Sequence, residues 1–164
     1  MEQDMPLMPL SRRGILGLAV LLLPGALGAC RSVVPDVTGT GASQSAQEIL
    51  ASLRKANGLP ALTPDALLEK AAIEQSGYMA AAGRMAHTAL RGRDFETRMK
   101  RLAIAAPAAE NLAHGRMEPA RLFAMWMASE GHRRNMLDAR FARYGLAHVA
   151  DGTGRRYWTL VLGS

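Results

Sequence analysis

The only cysteine of the chain, Cys30, stands where a covalent modification is expected. It follows Leu27, Gly28 and Ala29 at the end of an uncharged run, residues 14–29. This order is similar to a bacterial lipobox, in which small residues fit the peptidase and the thiol takes a diacylglyceryl group. An acylated sulfur is a thioether and cannot act as a nucleophile. The pattern therefore predicts lipidation at Cys30 and excludes a cysteine nucleophile.

The residues before Cys30 predict export. A charged start precedes an apolar run of 16 residues, which is shorter than the about 20 residues that span a bilayer. This arrangement is typical of a signal peptide, and Ser11-Arg12-Arg13 resembles a twin-arginine signal. Two alternatives stay open: the general export route, and a plain signal peptide followed by a chance cysteine. We predict three parts: a signal peptide (1–29), the lipidated cysteine with a flexible tether (30–43), and one domain (44–164).

The charge balance bears on possible partners. The chain has a formal net charge of +6, with arginine as its main cation. Basic character can indicate nucleic-acid binding, but the chain is predicted to be exported, has few aromatics and shows no recognised nucleic-acid motif. We predict no nucleic-acid partner. Anionic lipid heads or anionic envelope polymers fit better, and a merely solvated basic surface is the simpler alternative.

The first part of the domain shows helical periodicity. Ser45 and Glu48 have the spacing of a capping box, and Asn57-Gly58 predicts the end of that helix. Thr63 followed by Pro64 predicts the next start, with Leu62 and Leu67 as a hydrophobic staple. This second helix is predicted to end at Gly83, and its buried stripe consists of Leu67, Leu68, Ala71, Ala72, Tyr78, Met79 and Ala82. Two later helices are predicted, one over Asp94–Leu102 and one from Pro119 through Met127.

In the last part of the domain, the pattern of apolar residues changes from the helical one to one typical of strands. Residues 144–149 and 157–162 are rich in β-branched, aromatic and leucine residues, and a turn containing Gly152 and Gly154 separates them. Such a pattern predicts an antiparallel hairpin. Helices followed by a terminal hairpin indicate an α+β domain.

Four stretches carry a resemblance to a known family. They are His87-Thr88, the segment AENLAHG (109–115), the segment WMASEGHRRNML (126–137) and the segment YWTLVLG (157–163). In this order and spacing they resemble the bacterial branch of the CAP superfamily, also called SCP-like, over roughly residues 45–163. The resemblance implies an α-β-α sandwich, with a small antiparallel sheet between helices.

The same resemblance suggests a site. Many relatives have two histidines and two glutamates facing one cleft, and His87, Glu110 and His132 match three of these positions. Ser129 stands where the second glutamate is usual, and Glu130 would point about 100° away on a continuous helix. Two imidazoles and one carboxylate could bind Zn²⁺ and leave a position open for water. Alternatively, Glu110 could orient a histidine that acts as a base.

Structural roles are the alternative for each of these residues. His87 would then bond neighbouring backbone, Glu110 would hold a loop, and His132 would close the end of the helix that contains Trp126. The remaining polar and aromatic residues of the motifs are predicted to be turn or cap formers (Asn111, Asn135) and core side chains (Trp126, Trp158). Ser129 lacks a G-x-S-x-G turn, so a serine nucleophile is a weak hypothesis.

We therefore predict a membrane-anchored, extracytoplasmic domain on the periplasmic or outer-membrane face of the cell envelope. Its cleft, which binds a lipid, a peptide or an envelope polymer without catalysis, is expected to contain His87, Glu110, Asn111, Ser129 and His132. The alternative is a zinc-assisted envelope hydrolase in which His87, Glu110 and His132 are the ligands and catalytic candidates. A purely structural surface protein is a third possibility that stays open. The first two hypotheses require these three side chains to line one hollow.

Overall fold

The computed structural model describes residues 38–164. The predictions made for the signal peptide, for lipidation at Cys30 and for most of the tether lie outside the described residues and stay predictions. The last residues of the predicted tether are part of the domain, because Thr40 and Gly41 pair with His148 and Ala147 in the sheet and the first helix begins at Ser43. Across residues 38–164, no helix has both the length and the apolar character that crossing a bilayer requires.

Five strands form one sheet in the order β1-β4-β5-β3, and β2 runs parallel to β4 on the side where β1 also pairs. The long antiparallel pair β4–β5 is the hairpin predicted from the terminal sequence, and that prediction is confirmed. β3 pairs with β5 alone and therefore forms one edge of the sheet. The strands are β1 (Thr40–Gly41), β2 (Thr63–Pro64), β3 (Ala108–His114), β4 (Arg143–Ala150) and β5 (Arg156–Gly163).

Helices cover both faces of this sheet. Successive strand residues point to opposite faces: Leu160 packs in a cluster with α1 and α4, whereas Val161 packs in a cluster with α2 and α3. The α-β-α sandwich predicted from the resemblance is confirmed. The helices are α1 (Ser43–Ala56), α2 (Ala66–Ala82), α3 (Phe95–Arg101), α4 (Pro119–Ala128) and α5 (Glu130–Met136).

The predicted start of α1 is wrong. The helix begins at Ser43, two residues before the expected cap, and the Ser45 hydroxyl donates to the Ala42 carbonyl from within the first turn. The amide of Ser43 instead donates to the Glu69 carboxylate of α2, 3.1 Å away. A tertiary contact therefore replaces the local capping box.

The predicted start of α2 is also wrong. Asp65 is the cap, and its carboxylate accepts from the amides of Leu67 and Leu68. Thr63 and Pro64 pair with β4 instead, and this short parallel contact anchors the segment just before the helix. Leu67 is 41% exposed, so it neither forms the staple nor joins the buried stripe.

Other local predictions hold. Gly58 and Gly83, which follow the ends of α1 and α2, both have positive φ. α3 lies between its cap Asp94 and Leu102, as predicted. Trp126 and Trp158 are buried in the core, and of the predicted stripe on α2, Ala82 is only partly buried.

Candidate functional site

The edge strand β3 places two neighbouring polar side chains on opposite faces of the sheet. Glu110 is paired with Val161 and faces the α2–α3 layer, whereas Asn111 is paired with Leu160 and faces the α4–α5 layer. Both residues are buried. β3 was not predicted as a strand, because buried polar residues interrupt the apolar alternation that marks a strand.

Each oxygen of the Glu110 carboxylate has a side-chain partner. Its side chain is only 2% exposed, and Oε2 lies 2.7 Å from Nη2 of Arg98, which is 0% exposed. The guanidinium also donates through Nε to the backbone oxygen of Arg93, at 3.1 Å. A buried carboxylate requires such a partner, because an unpaired charge in this position would be strongly unfavourable.

Arg98 is the site residue that sequence reasoning missed. It stands on α3 at the spacing of the apolar residues Phe95, Met99 and Leu102, and therefore falls on the buried stripe of that helix. An arginine within an apolar stripe predicts a buried cation that needs an acidic partner, and this was the available signal.

His87 contacts the other oxygen of the same carboxylate. Its Nδ1 lies 2.8 Å from Oε1 of Glu110, and its side chain is 59% exposed. Because the carboxylate accepts, Nδ1 carries the proton, and Nε2 is the ring nitrogen left to meet solvent or a ligand. The structural alternative predicted for His87, a bond to neighbouring backbone, is therefore wrong.

His132 approaches the edge of β3 from the opposite face. The Asn111 side chain donates to the His132 backbone oxygen at 3.0 Å, and Asn135 donates to the Asn111 side-chain oxygen at 2.9 Å. Trp126 donates through Nε1 to the Leu112 backbone oxygen at 3.0 Å. These bonds fasten α4 and α5 to β3. Buried Asn111 and partly buried Asn135 thus form an amide pair, and their prediction as turn or cap formers is wrong.

The two imidazoles lie close enough to influence one another. Burial lowers the pKa of His132, and the neighbouring His87 lowers it further. His132 is the third residue of α5 and does not close the helix of Trp126, as one alternative predicted, because α4 ends at Ala128. The cluster can therefore offer two imidazoles beside a carboxylate whose charge is balanced by Arg98.

Two neighbouring residues stay outside this cluster. Ser129 separates α4 from α5 in an extended conformation and makes backbone hydrogen bonds with Trp126 and Arg133. Glu130 begins α5, is largely exposed and lies 3.8 Å from Arg134. Because the two helices are separate, the expected helical relation between Ser129 and Glu130 does not exist.

The described residues do not form the three-ligand zinc site that the hydrolase hypothesis requires. Within the part of the chain that the structure describes, no three His, Cys, Asp or Glu side chains are grouped so that they could hold a metal. Both oxygens of Glu110 are already engaged, one by a permanent cation. A divalent ion beside the Arg98 guanidinium would meet like charge. This geometry opposes direct ligation by Glu110, whereas zinc binding through Nε2 of His87 and through His132 stays a prediction.

Stability should depend on pH through His132 and His148. Burial is the main cause that lowers both pKa values, with Arg156 adding to the effect on His148 and Glu118 opposing it. Below about pH 6.5 the unfolded chain takes up protons that the folded chain resists. The free energy of unfolding should therefore be highest above that pH and fall as the pH decreases.

Urea unfolding measured between about pH 7.5 and about pH 5.5 checks this expectation. The double variant His132→Asn/His148→Asn is the control, because its stability should change less with pH. Equal slopes for the variant and the natural chain would refute the assignment.

Comparisons with known proteins show the family and the fold. The model of the cysteine-rich secretory protein family, CAP, matches residues 47–162. YkwD of Bacillus subtilis, an uncharacterized protein, is 33% identical over 114 residues, which make up 68% of this chain and 43% of YkwD. The chain therefore spans less than half of that relative.

Solved structures share the fold. An outer surface protein of Borrelia burgdorferi has a TM-score of 0.65 at 22% identity, covering 77% of this chain and 98% of that one. An extracellular Bacillus anthracis protein with an SCP domain has a TM-score of 0.64 at 23% identity, covering 73% and 39%. A cysteine-rich secretory protein of Staphylococcus aureus has a TM-score of 0.58 at 23% identity, covering 73% and 37%. The chain belongs to the CAP family.

Proposed function

We propose that this CAP domain is exported, is held on a membrane through lipidated Cys30, and binds a ligand without catalysing a reaction. The ligand binds along the edge of β3, where His87 and His132 approach from opposite sides, and we call this region the His87–His132 face. Export is supported by the predicted signal peptide. It is also supported by two structural neighbours, one described as an extracellular protein and the other as an outer surface protein. The ligand is a lipid, a peptide or an anionic envelope polymer.

The engagement of Glu110 supports the non-catalytic part of this proposal, because it opposes a direct role of this carboxylate; the alternative in which Glu110 orients His87 as a base is tested by the turnover assay below. A carboxylate that itself acts as a general base or a metal ligand needs an oxygen that is free to receive a proton or an ion. In this chain, one oxygen of Glu110 accepts from Arg98 at 2.7 Å and the other from His87 at 2.8 Å. The carboxylate therefore positions the His87 ring and balances the Arg98 charge.

The exposure of His87 supports binding. Its ring is held at Nδ1 while more than half of the side chain is exposed, so a ligand meets Nε2 in a fixed orientation. His132 adds a second imidazole, and its lowered pKa favours the neutral form at neutral pH. A polar group that donates a hydrogen bond fits such a pair.

Zinc titration separates this proposal from the hydrolase alternative. The full chain, without a histidine tag, is titrated with Zn²⁺ by calorimetry beside His87→Ala and His132→Ala variants. We expect no heat that depends on these histidines, and no turnover of peptide or ester libraries. Zinc binding that both variants lose, together with turnover, would instead establish the hydrolase.

Ligand binding is then tested directly with an envelope lipid extract and with soluble envelope polymers. We expect the ring resonances of His87 and His132 to shift in nuclear magnetic resonance spectra with one of these ligand classes. If neither ring responds to any class, the binding proposal is wrong.

A further inference from the structure

Residues 83–93, between α2 and the cap of α3, expose two large apolar side chains. We call this segment the His87 loop. Met85 is 46% exposed and Leu90 is 39% exposed, and they lie on either side of His87 in the sequence. Two large apolar side chains exposed within one short loop make this segment a candidate interaction surface.

The His87 loop is held in place by hydrogen bonds from side chains. Gln75 donates to the Ala86 oxygen at 2.6 Å, Arg84 to the Ala89 oxygen at 2.8 Å, and Arg98 to the Arg93 oxygen at 3.1 Å. Ala89 is buried and acts as the inward anchor. The loop therefore presents Met85 and Leu90 to solvent in a fixed arrangement.

The His87 loop carries only positive charges, and the acidic residue that follows it, Asp94, caps α3. Residues 83–93 contain Arg84, Arg91 and Arg93 and no acidic residue. Among the described residues, no carboxylate forms an ion pair with any of these three arginines. The guanidinium of Arg93 lies over the Tyr78 ring, 5.6 Å from its centroid. Arg84 is held by backbone oxygens and Arg93 by the Tyr78 ring, so their charges are not balanced by a carboxylate. Cations without an acidic partner, next to exposed apolar side chains, match a surface that is anionic outside and apolar beneath.

We propose that the His87 loop docks the domain onto an anionic lipid bilayer, with Met85 and Leu90 entering the interface and the arginines contacting lipid headgroups. Apolar side chains gain free energy in the headgroup–acyl boundary, and basic residues gain more where the lipids are anionic. The predicted anchor Cys30 is about ten residues before β1, so the tether spans at most about 36 Å. Lipidation at Cys30, as predicted, would therefore keep the domain close to a membrane.

This docking does not require the His87–His132 face to bind a ligand. Failure of the ligand experiments would leave the docking proposal standing, and failure of docking would leave the ligand proposal standing.

A fluorescent label at the loop tests the proposal in the full chain. Cys30→Ser removes the native thiol, and Thr88→Cys, at an exposed position in the His87 loop, carries an environment-sensitive dye. The control label is at Gly152→Cys in the β4–β5 turn, where an added Cβ meets nothing within 4 Å. Vesicles contain phosphatidylcholine either alone or mixed with phosphatidylglycerol.

We expect the label at position 88, and not the label at position 152, to shift to shorter wavelength and become protected from a soluble quencher. This response should require phosphatidylglycerol and should weaken at high salt, because salt screens the arginines. Adding Arg91→Gln should lower the docking equilibrium constant about fivefold, and adding Leu90→Gln should lower it further.

The matched control adds Leu67→Gln and Arg155→Gln, an exposed leucine and an exposed arginine outside the loop, and should leave docking unchanged. Equal responses of the two labels, or equal responses in both kinds of vesicle, would overturn the proposal. If the label at position 88 showed neither an emission shift nor protection from the quencher, this result would also overturn the proposal and would favour a protein partner for this surface.

Discussion

Replacing Arg98 with methionine should lower the free energy of unfolding by about 3–5 kcal/mol, the usual cost of removing one member of a buried ion pair. The guanidinium is fully buried and its partner carboxylate is 2% exposed, so water cannot replace the lost charge. Urea unfolding, followed by the fluorescence of the buried Trp126 and Trp158, measures the change.

A double variant separates the loss of the pair from the loss of packing. Arg98→Met/Glu110→Leu removes both charges, and apolar residues of similar volume often substitute for a buried pair at little cost. We expect this variant to regain at least half of the lost stability. Arg134→Met, at an exposed arginine 3.8 Å from Glu130, should change stability by less than about 1 kcal/mol. A loss as small for Arg98→Met as for Arg134→Met would contradict the buried pair.

Replacing Arg54 with alanine should cost about 4 kcal/mol, because several charge-assisted hydrogen bonds are lost at once. Arg54 is 0% exposed. Its Nε donates to Pro60 at 2.8 Å, and its Nη1 donates to Met136 at 2.8 Å and Asp138 at 3.1 Å, in each case to the backbone oxygen. One side chain thereby ties α1 to the segment before β2 and to the end of α5.

The same position allows a graded test. Burial lowers the pKa of Arg54 and the Asp138 carboxylate partly opposes this, so the guanidinium depends on its bonds to stay charged. Arg54→Lys keeps a charge but cannot reach all three oxygens, and it should lie between the natural chain and Arg54→Ala in urea midpoint. Lys55→Ala, at the neighbouring exposed position, is the control. Indistinguishable midpoints for Arg54→Ala and Lys55→Ala would contradict this role.

Local sequence signals predicted the elements whose stability is local. β4 and β5 were found because apolar and β-branched residues cluster there, and the ends of α1 and α2 because Gly58 and Gly83 allow a positive φ. The helix starts were misplaced where a distant partner intervenes. Glu69 receives the first amide of α1, and pairing with β4 takes Thr63 and Pro64 away from α2.

The candidate site was predicted only in part, and chiefly through the family resemblance. That resemblance singled out His87, Glu110 and His132, and the structure brings them to the edge of β3. It did not reveal Arg98, whose partner is 12 residues away in sequence. No local pattern specifies which carboxylate a buried arginine will meet, so the neutralisation of Glu110 becomes visible only in the folded chain.

The tautomer of the His87 ring tests the central claim most directly. Nitrogen-15 chemical shifts of the ring, recorded at about pH 8 on the full chain, report which nitrogen carries the proton. If Glu110 is held between Arg98 and His87, the proton lies on Nδ1, Nε2 is unprotonated, and Glu110→Gln changes this pattern. A ring protonated mainly at Nε2, or one that does not respond to Glu110→Gln, would contradict the account.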